Sequence, residues 1–166
     1  AGKTTTIKLM LNQLKAETGE IGILGLDHRK DEKKIKSDIG VVLDECYFHE
    51  NIKPKHISRI MARIYKNWDE SLFYSYIDQF RLPGNKTTKE FSRGMKLKLS
   101  IATALSHHPK LLILDEATSG LDPVVRNEIL DLFLEFIQDE NHSILFSSHI
   151  TSDLEKIADY ITFLHD

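Results

Sequence analysis

Two stretches of this chain hold side chains whose spacing can do chemistry. The first is Gly2-Lys3-Thr4-Thr5, followed after Thr6 by an amphipathic run, "IKLMLNQL". A glycine, a lysine and hydroxyls at the mouth of a helix make an anion site. Backbone N–H groups and the helix N-terminus hold a phosphate, the ammonium contacts its outer oxygens, and a hydroxyl reaches a hard cation. The second is "LLILDEATSGLDP" at 111–123, in which four aliphatic residues run into adjacent carboxylates, Asp115 and Glu116. After a buried parallel strand, such carboxylates emerge at the carboxyl edge of the sheet, where open α/β folds bind ligands. Asp115 there suits Mg²⁺, and Glu116 suits the removal of a proton from an attacking water. The alternative is a strand ending in a polar turn, with Asp122 capping the helix that Pro123 begins. A Gly-Lys pair before a helix is also, by itself, an ordinary loop and cap.

The elements that must position these groups alternate in type. Short apolar or β-branched stretches at 39–43, 111–114, 144–147 and 160–164 read as buried strands, with a less regular one at 20–26. Between Lys53 and His108 the pattern is helical only. Ile57, Ile60, Met61, Ile64 and Tyr65 recur at helical spacing, as do Leu72, Phe73, Tyr76, Ile77 and Phe80 after Asp69, a candidate N-cap. The expectation is an α/β fold with a parallel sheet flanked by helices and a helical insertion between two of its strands.

Composition bounds the setting. The 166 residues, 41% hydrophobic, suffice for one domain with a sizeable core. A net charge of -3, with lysines and arginines dispersed, gives no electrostatic reason to expect nucleic acid as a partner. The mixed-sign run "HRKDEKKIK" at 28–36 reads as a solvated surface loop or helix start. One cysteine, Cys46, supports no internal disulfide and fits a reducing compartment. The eight histidines show no metal-ligand spacing, and no apolar run approaches the ~20 residues of a membrane-spanning helix.

With these motifs in place, the chain resembles the ATP-binding cassette of ABC transporters over nearly its whole length. "AGKTTT" is similar to the end of a Walker A motif and "LLILDE" to Walker B. "SGLDP" at 119–123 is similar to the D-loop, and "SSHI" at 147–150 places His149 at the switch histidine. "FSRGMKLKLSIATAL" at 91–105 resembles the signature segment and its helix. The resemblance implies a P-loop NTPase (RecA-like) fold, with a core at 1–52 and 109–166 and a helical subdomain at about 53–108 that carries the signature. It implies ATP and Mg²⁺ as cofactors. Gly2, Lys3, Thr4 and Thr5 would bind phosphate and metal, Asp115 would support the metal, Glu116 would be the catalytic base, and His149 would contact the γ-phosphate. Ser92, Arg93, Gly94, Met95 and Asp122 would meet the nucleotide of an opposing cassette. Read without the family, Ser92 is equally a helix cap and His149 a satisfied histidine after a strand.

The chain departs from the family pattern at several places. Phe91, Arg93 and Met95 replace leucine, glycine and glutamine in the signature, and Arg93 adds positive charge near phosphate. Asp44 stands where the family has the Q-loop glutamine and becomes a third metal candidate. Ala117 replaces a proline that only stiffens the turn. The family also implies strands before Gly2 and a hairpin after Asp166, so the chain reads as a cassette cut at both ends and less stable than its parent domain. "IGVVLDECYFHENI", "FSRGM" and "TSGLDP" together look most like bacterial cassettes of the ABC-2 exporter type. The implied partners are a second cassette, identical or not, and an integral membrane permease received near the Asp44 loop and helices 55–80. Tyr47 and Phe48 serve that dock or pack against the helical insertion. The implied location is the cytoplasmic face of the cell membrane. A non-transport ATPase on the same cassette and a regulatory nucleotide-binding module are the rival readings, and the second has little need for both Glu116 and His149.

Overall fold

Three short apolar segments pair as a parallel sheet because each is long enough for a ladder and is joined to the next by helices rather than by a tight turn. The computed structural model describes residues 2–44 and 46–164. Ala1 of the opening motif, Glu45 in the loop after residue 44, and the last two residues of "FLHD" lie outside them. In chain order the elements are α1 (Lys3–Met10), β1 (Gly22–Ile23), β2 (Leu26–Asp27), α2 (Glu32–Asp38), β3 (Ile39–Val42), α3 (Pro54–Ile64), α4 (Glu70–Gln79), a 3₁₀ turn at Thr88–Glu90, α5 (Arg93–Leu105), β4 (Leu111–Asp115), α6 (Pro123–Phe136), β5 (Ser143–Ser147) and α7 (Thr151–Ile157).

The sheet order is β3-β4-β5, all parallel, with Val41 opposite Ile113 and Asp115 opposite Ser147. Alternate residues face opposite sides, as the two-residue period of a strand requires. Ile39 and Ile113 pack with Ile7 of α1, Leu11 just after that helix and Ile35 of α2 on one side. Val42, Leu112 and Leu114 pack with Leu99, Ile101 and Ala102 of α5 and Ile129 and Phe133 of α6 on the other. That second core continues into Ile57 of α3 and Phe73 and Ile77 of α4. The helices between β3 and β4 therefore close over the sheet and share its core.

Gly40 explains how closely α5 approaches β3. A Cβ on residue 40 would lie 2.9 Å from the Ala104 carbonyl oxygen and 2.9 Å from Leu112 Cδ1. Only glycine admits that spacing. Local caps behave as the sequence predicts: Asp69 accepts from Leu72 N at 2.8 Å, and Asp122 accepts from Val124 N and Val125 N, both at 3.1 Å. His107, buried at the end of α5, lies with Nε2 2.9 Å from the Ile39 carbonyl and stacks on the Tyr65 ring at 3.9 Å. Burial holds its imidazole below the ordinary histidine value.

Several expectations are corrected. The stretch 20–26 is not one strand: Leu24 and Gly25 both take positive φ, 52° and 75°, and fold it into the β1–β2 hairpin. The stretch 160–164 forms no strand, although Ile161 and Phe163 favour one. A strand is a pairing rather than a propensity, and no strand pairs with 160–164 among the described residues. Ile60 and Ile64 face solvent on α3, because the core takes only one narrow stripe of that helix, centred on Ile57. His28 in the mixed-charge run is buried, with Nδ1 3.1 Å from the Ile21 carbonyl. The signature helix begins at Arg93, with Ser92 as its N-cap.

Candidate functional site

Parallel pairing of β4 with β5 brings their carboxyl ends together, so residues 115–116 and 147–149 meet although about 30 positions separate them. Ser147 Oγ donates to Asp115 Oδ1 at 2.8 Å, and Glu116 N–H donates to the Ser147 carbonyl at 2.9 Å, which extends the ladder by one bond. Asp115 is 3% exposed. A buried carboxylate with a hydroxyl on one oxygen is oriented as well as solvated.

Glu116 leaves the strand with φ of 51°, a left-handed conformation that costs a side-chain-bearing residue about 1–3 kcal/mol. The turn aims its carboxylate back over the sheet edge. Glu116 Oε1 lies 3.3 Å from Lys3 Nζ, and Oε2 lies 2.6 Å from His149 Nδ1. The His149 contact is close but not aligned as a hydrogen bond, so Oε2 keeps hydrogen-bonding capacity. Lys3 Nζ also donates to the Ser148 carbonyl at 3.4 Å. The carboxylate thus stands between one cation and one imidazole.

α1 reaches this edge because Ile7 and Leu11 pack on the face of the sheet that carries Ile113. Gly2 caps it at φ 93°, a left-handed value that suits glycine, with no side-chain cap. The N–H groups of the first turn are consequently left to an external acceptor. Thr4 and Thr5 are exposed there, while the Thr6 hydroxyl is spent on the Gly2 carbonyl at 3.0 Å. Lys3 in the first turn of α1 thus reaches the Glu116 carboxylate just past the end of β4, and the exposed Thr4 and Thr5 lie on the same turn, a set of groups that suits an anion beside a carboxylate.

Other predicted residues lie elsewhere. Ser92 caps α5, with Oγ accepting from Met95 N at 3.2 Å, and Met95 packs against the core. The Arg93 guanidinium lies over Gly120, where an added Cβ would meet Nη1 at 2.9 Å. Gly94 abuts Val125 of α6. Asp44 lines a separate cavity of about 460 Å³ with Cys46, Arg93, Lys96 and Ala117. It takes no part in the contacts that join Lys3, Asp115, Glu116 and His149. Among the described residues, no group of three or more His, Cys, Asp or Glu side chains is arranged to hold a metal ion. The site also includes two residues to which the sequence reading gave no role, Ser147 and Ser148, which sat inside a quoted motif.

A parallel sheet covered on both faces, with a glycine-capped helix start and two carboxylates at its carboxyl edge, defines an open α/β domain. Comparison with known proteins sharpens this. The family described as ABC transporter matches residues 1–119. The bacitracin transport ATP-binding protein BcrA of Bacillus licheniformis is 36% identical over 168 residues, an alignment that takes in all of this chain and 55% of the relative. The lantibiotic transport ATP-binding protein SrtF of Streptococcus pyogenes is 34% identical over 170 residues, covering 71% of that relative. A solved ATP-binding subunit of an ABC transporter superposes with a TM-score of 0.79 at 26% identity, over 95% of this chain and 68% of that one. A dimeric ATP-binding cassette bound to ADP and phosphate superposes with a TM-score of 0.80 at 19% identity, over 93% of this chain and 73% of that one, and so speaks for the fold. The chain belongs to the ABC transporter family and has the fold of its ATP-binding domains. It spans about 55% of the length of BcrA.

Proposed function

We propose that this chain is the ATP-binding and ATP-hydrolysing part of an ABC transporter. The observation that carries the proposal is the Lys3–Glu116–His149 constellation, built on a strained backbone at Glu116 and facing the open first turn of α1. Hydrolysis requires a water to attack the γ-phosphorus while the bond to the bridging oxygen breaks and ADP leaves. Glu116 takes the proton of that water. Lys3, whose contact with Glu116 is partly solvent-exposed and therefore weak, exchanges the carboxylate for phosphate when nucleotide enters. His149 steadies Glu116 and faces the γ-phosphate.

The oxygen donors at this edge fit Mg²⁺. The Thr4 hydroxyl and the Asp115 carboxylate would hold it alongside water and phosphate, and Asp44 is a further candidate. Bound there, the ion would neutralise charge on the phosphates. Ser92, Arg93, Gly94 and Met95 at the start of α5, with Asp122, face the nucleotide of a second cassette. In this reading the RecA-like core is 1–52 and 109–166, and the helical subdomain about 53–108. An integral membrane permease docks near the Asp44 loop and helices 55–80 and holds the protein at the cytoplasmic face of the membrane. The transport roles in the names of BcrA and SrtF support a role in transport, with substrate choice left to the permease.

The test is ATP turnover of the intact protein across a range of concentrations, beside Glu116→Gln. Turnover per molecule is expected to rise with concentration, as paired cassettes require, and to fall at least about 100-fold in the variant. Tight ATP binding with a flat background that Glu116→Gln leaves unchanged would instead make this a regulatory nucleotide-binding module.

A further inference from the structure

Two buried polar side chains next to the proposed site are bonded to each other. Thr118 is 0% exposed and Asp153 is 2% exposed. Thr118 Oγ1 donates to Asp153 Oδ2 at 2.7 Å. A buried carboxylate is costly and contributes little to stability over an apolar pair of the same shape, so its placement is the informative feature. Thr118 follows Glu116 by two residues, and Asp153 follows His149 by four.

The strand ends are already tied together by the bonds from Ser147 Oγ to Asp115 and from Glu116 N–H to Ser147. Those ties lie on one side of Glu116 and His149. The Thr118–Asp153 bond lies beyond both residues, where the β-ladder has ended and nothing in the strands can fix their spacing. Between the two sets of ties, Glu116 holds its left-handed φ of 51° and His149 Nδ1 sits 2.6 Å from its carboxylate. A strained residue keeps such a conformation only when its surroundings over-determine it.

We infer that Thr118 and Asp153 are a positioning pair, which locks the loop bearing Glu116 to the loop bearing His149 and so sets the geometry of water activation. The inference rests on the ATPase reading above. Asp153 and Thr118 touch neither nucleotide nor water in this scheme. They act through Glu116 and His149.

The first readout needs neither nucleotide nor metal. Hydrogen exchange of the Glu116 and Ser119 amides, which donate to Ser147 and Glu116 respectively, is compared between the intact wild-type protein and Thr118→Val. Exchange at these amides is expected to speed up about tenfold, with β3 and α3 unchanged, and Thr118→Ser, which keeps the hydroxyl, is expected to restore protection. The second readout is turnover. Thr118→Val is expected to lower kcat about tenfold or more with KM for ATP within about twofold, because misplacing a catalytic group acts on the chemical step rather than on binding. If Thr118→Val does not fold, Asp153→Asn, which keeps the shape and one acceptor oxygen, is read in the same two assays, with a smaller effect in the same direction. Folded variants with wild-type exchange at 116–119 and wild-type kcat would overturn the inference while Glu116→Gln still abolished turnover. Wild-type turnover insensitive to Glu116→Gln would instead overturn the ATPase reading itself.

Discussion

Gly40 is a single atom away from disturbing the joint between sheet and signature helix. In Gly40→Ala the new methyl would sit 2.9 Å from the Ala104 carbonyl oxygen, 2.9 Å from Leu112 Cδ1 and 3.2 Å from Pro109 Cγ. Ordinary contact begins near 3.4 Å, so each neighbour must retreat by a few tenths of an ångström. The oxygen belongs to the backbone of α5, and Leu112 is fully buried in the central strand, so neither retreats freely. Overpacking of this kind costs about 1–3 kcal/mol, and the relief of glycine's backbone entropy returns about 0.5–1 kcal/mol. The net expectation is a loss of about 1–2 kcal/mol, or about 2–8 °C in Tm for a chain of this size. Urea unfolding with matched thermal melts is the assay, with the midpoint falling and the m-value constant. A variant as stable as the wild type would refute the close approach of α5 to β3.

Two further outcomes test the fold's local parts. Because burial depresses the His107 imidazole, the unfolded chain takes up a proton before the folded chain as pH drops below the ordinary value of 6.5. Stability is therefore expected to fall between about pH 7.5 and 5.5, by at most about 1.4 kcal/mol per pH unit from this group. His107→Asn is expected to lose that part of the dependence in urea titrations at the two pH values. Equal pH dependence in both proteins would refute the assignment. Asp122→Ala removes the acceptor of two first-turn N–H groups of α6 and is expected to cost about 1 kcal/mol by the same unfolding assay. A change smaller than the error of the titration would show that water replaces the cap.

Local rules carried much of what could be read in advance. Asp69 and Asp122 cap helices because a carboxylate one residue outside a helix meets N–H groups only two or three positions away. The strands at 39–43, 111–114 and 144–147 announced themselves as short apolar runs, and buried parallel strands need no more than that. The family motifs were legible for a related reason: each is a contiguous string that builds one local piece of the phosphate site. Local rules failed where tertiary context outweighed propensity. Leu24 takes a positive φ that no leucine advertises, and 160–164 has the residues of a strand without a partner among the described residues.

The sequence by itself determined the alternation of helix and strand, the helix caps, and which carboxylates would end a strand at the sheet edge. Each depends on neighbours within a few residues along the chain. Tertiary structure alone decided that Glu116 stands between Lys3 and His149, that Ser147 orients Asp115, that Asp44 lines a different cavity, and that Thr118 reaches Asp153. These meetings join residues from about 30 to more than 100 positions apart. They exist because strands register side by side and α1 docks on their face, and the order of residues along one segment does not encode that arrangement in space.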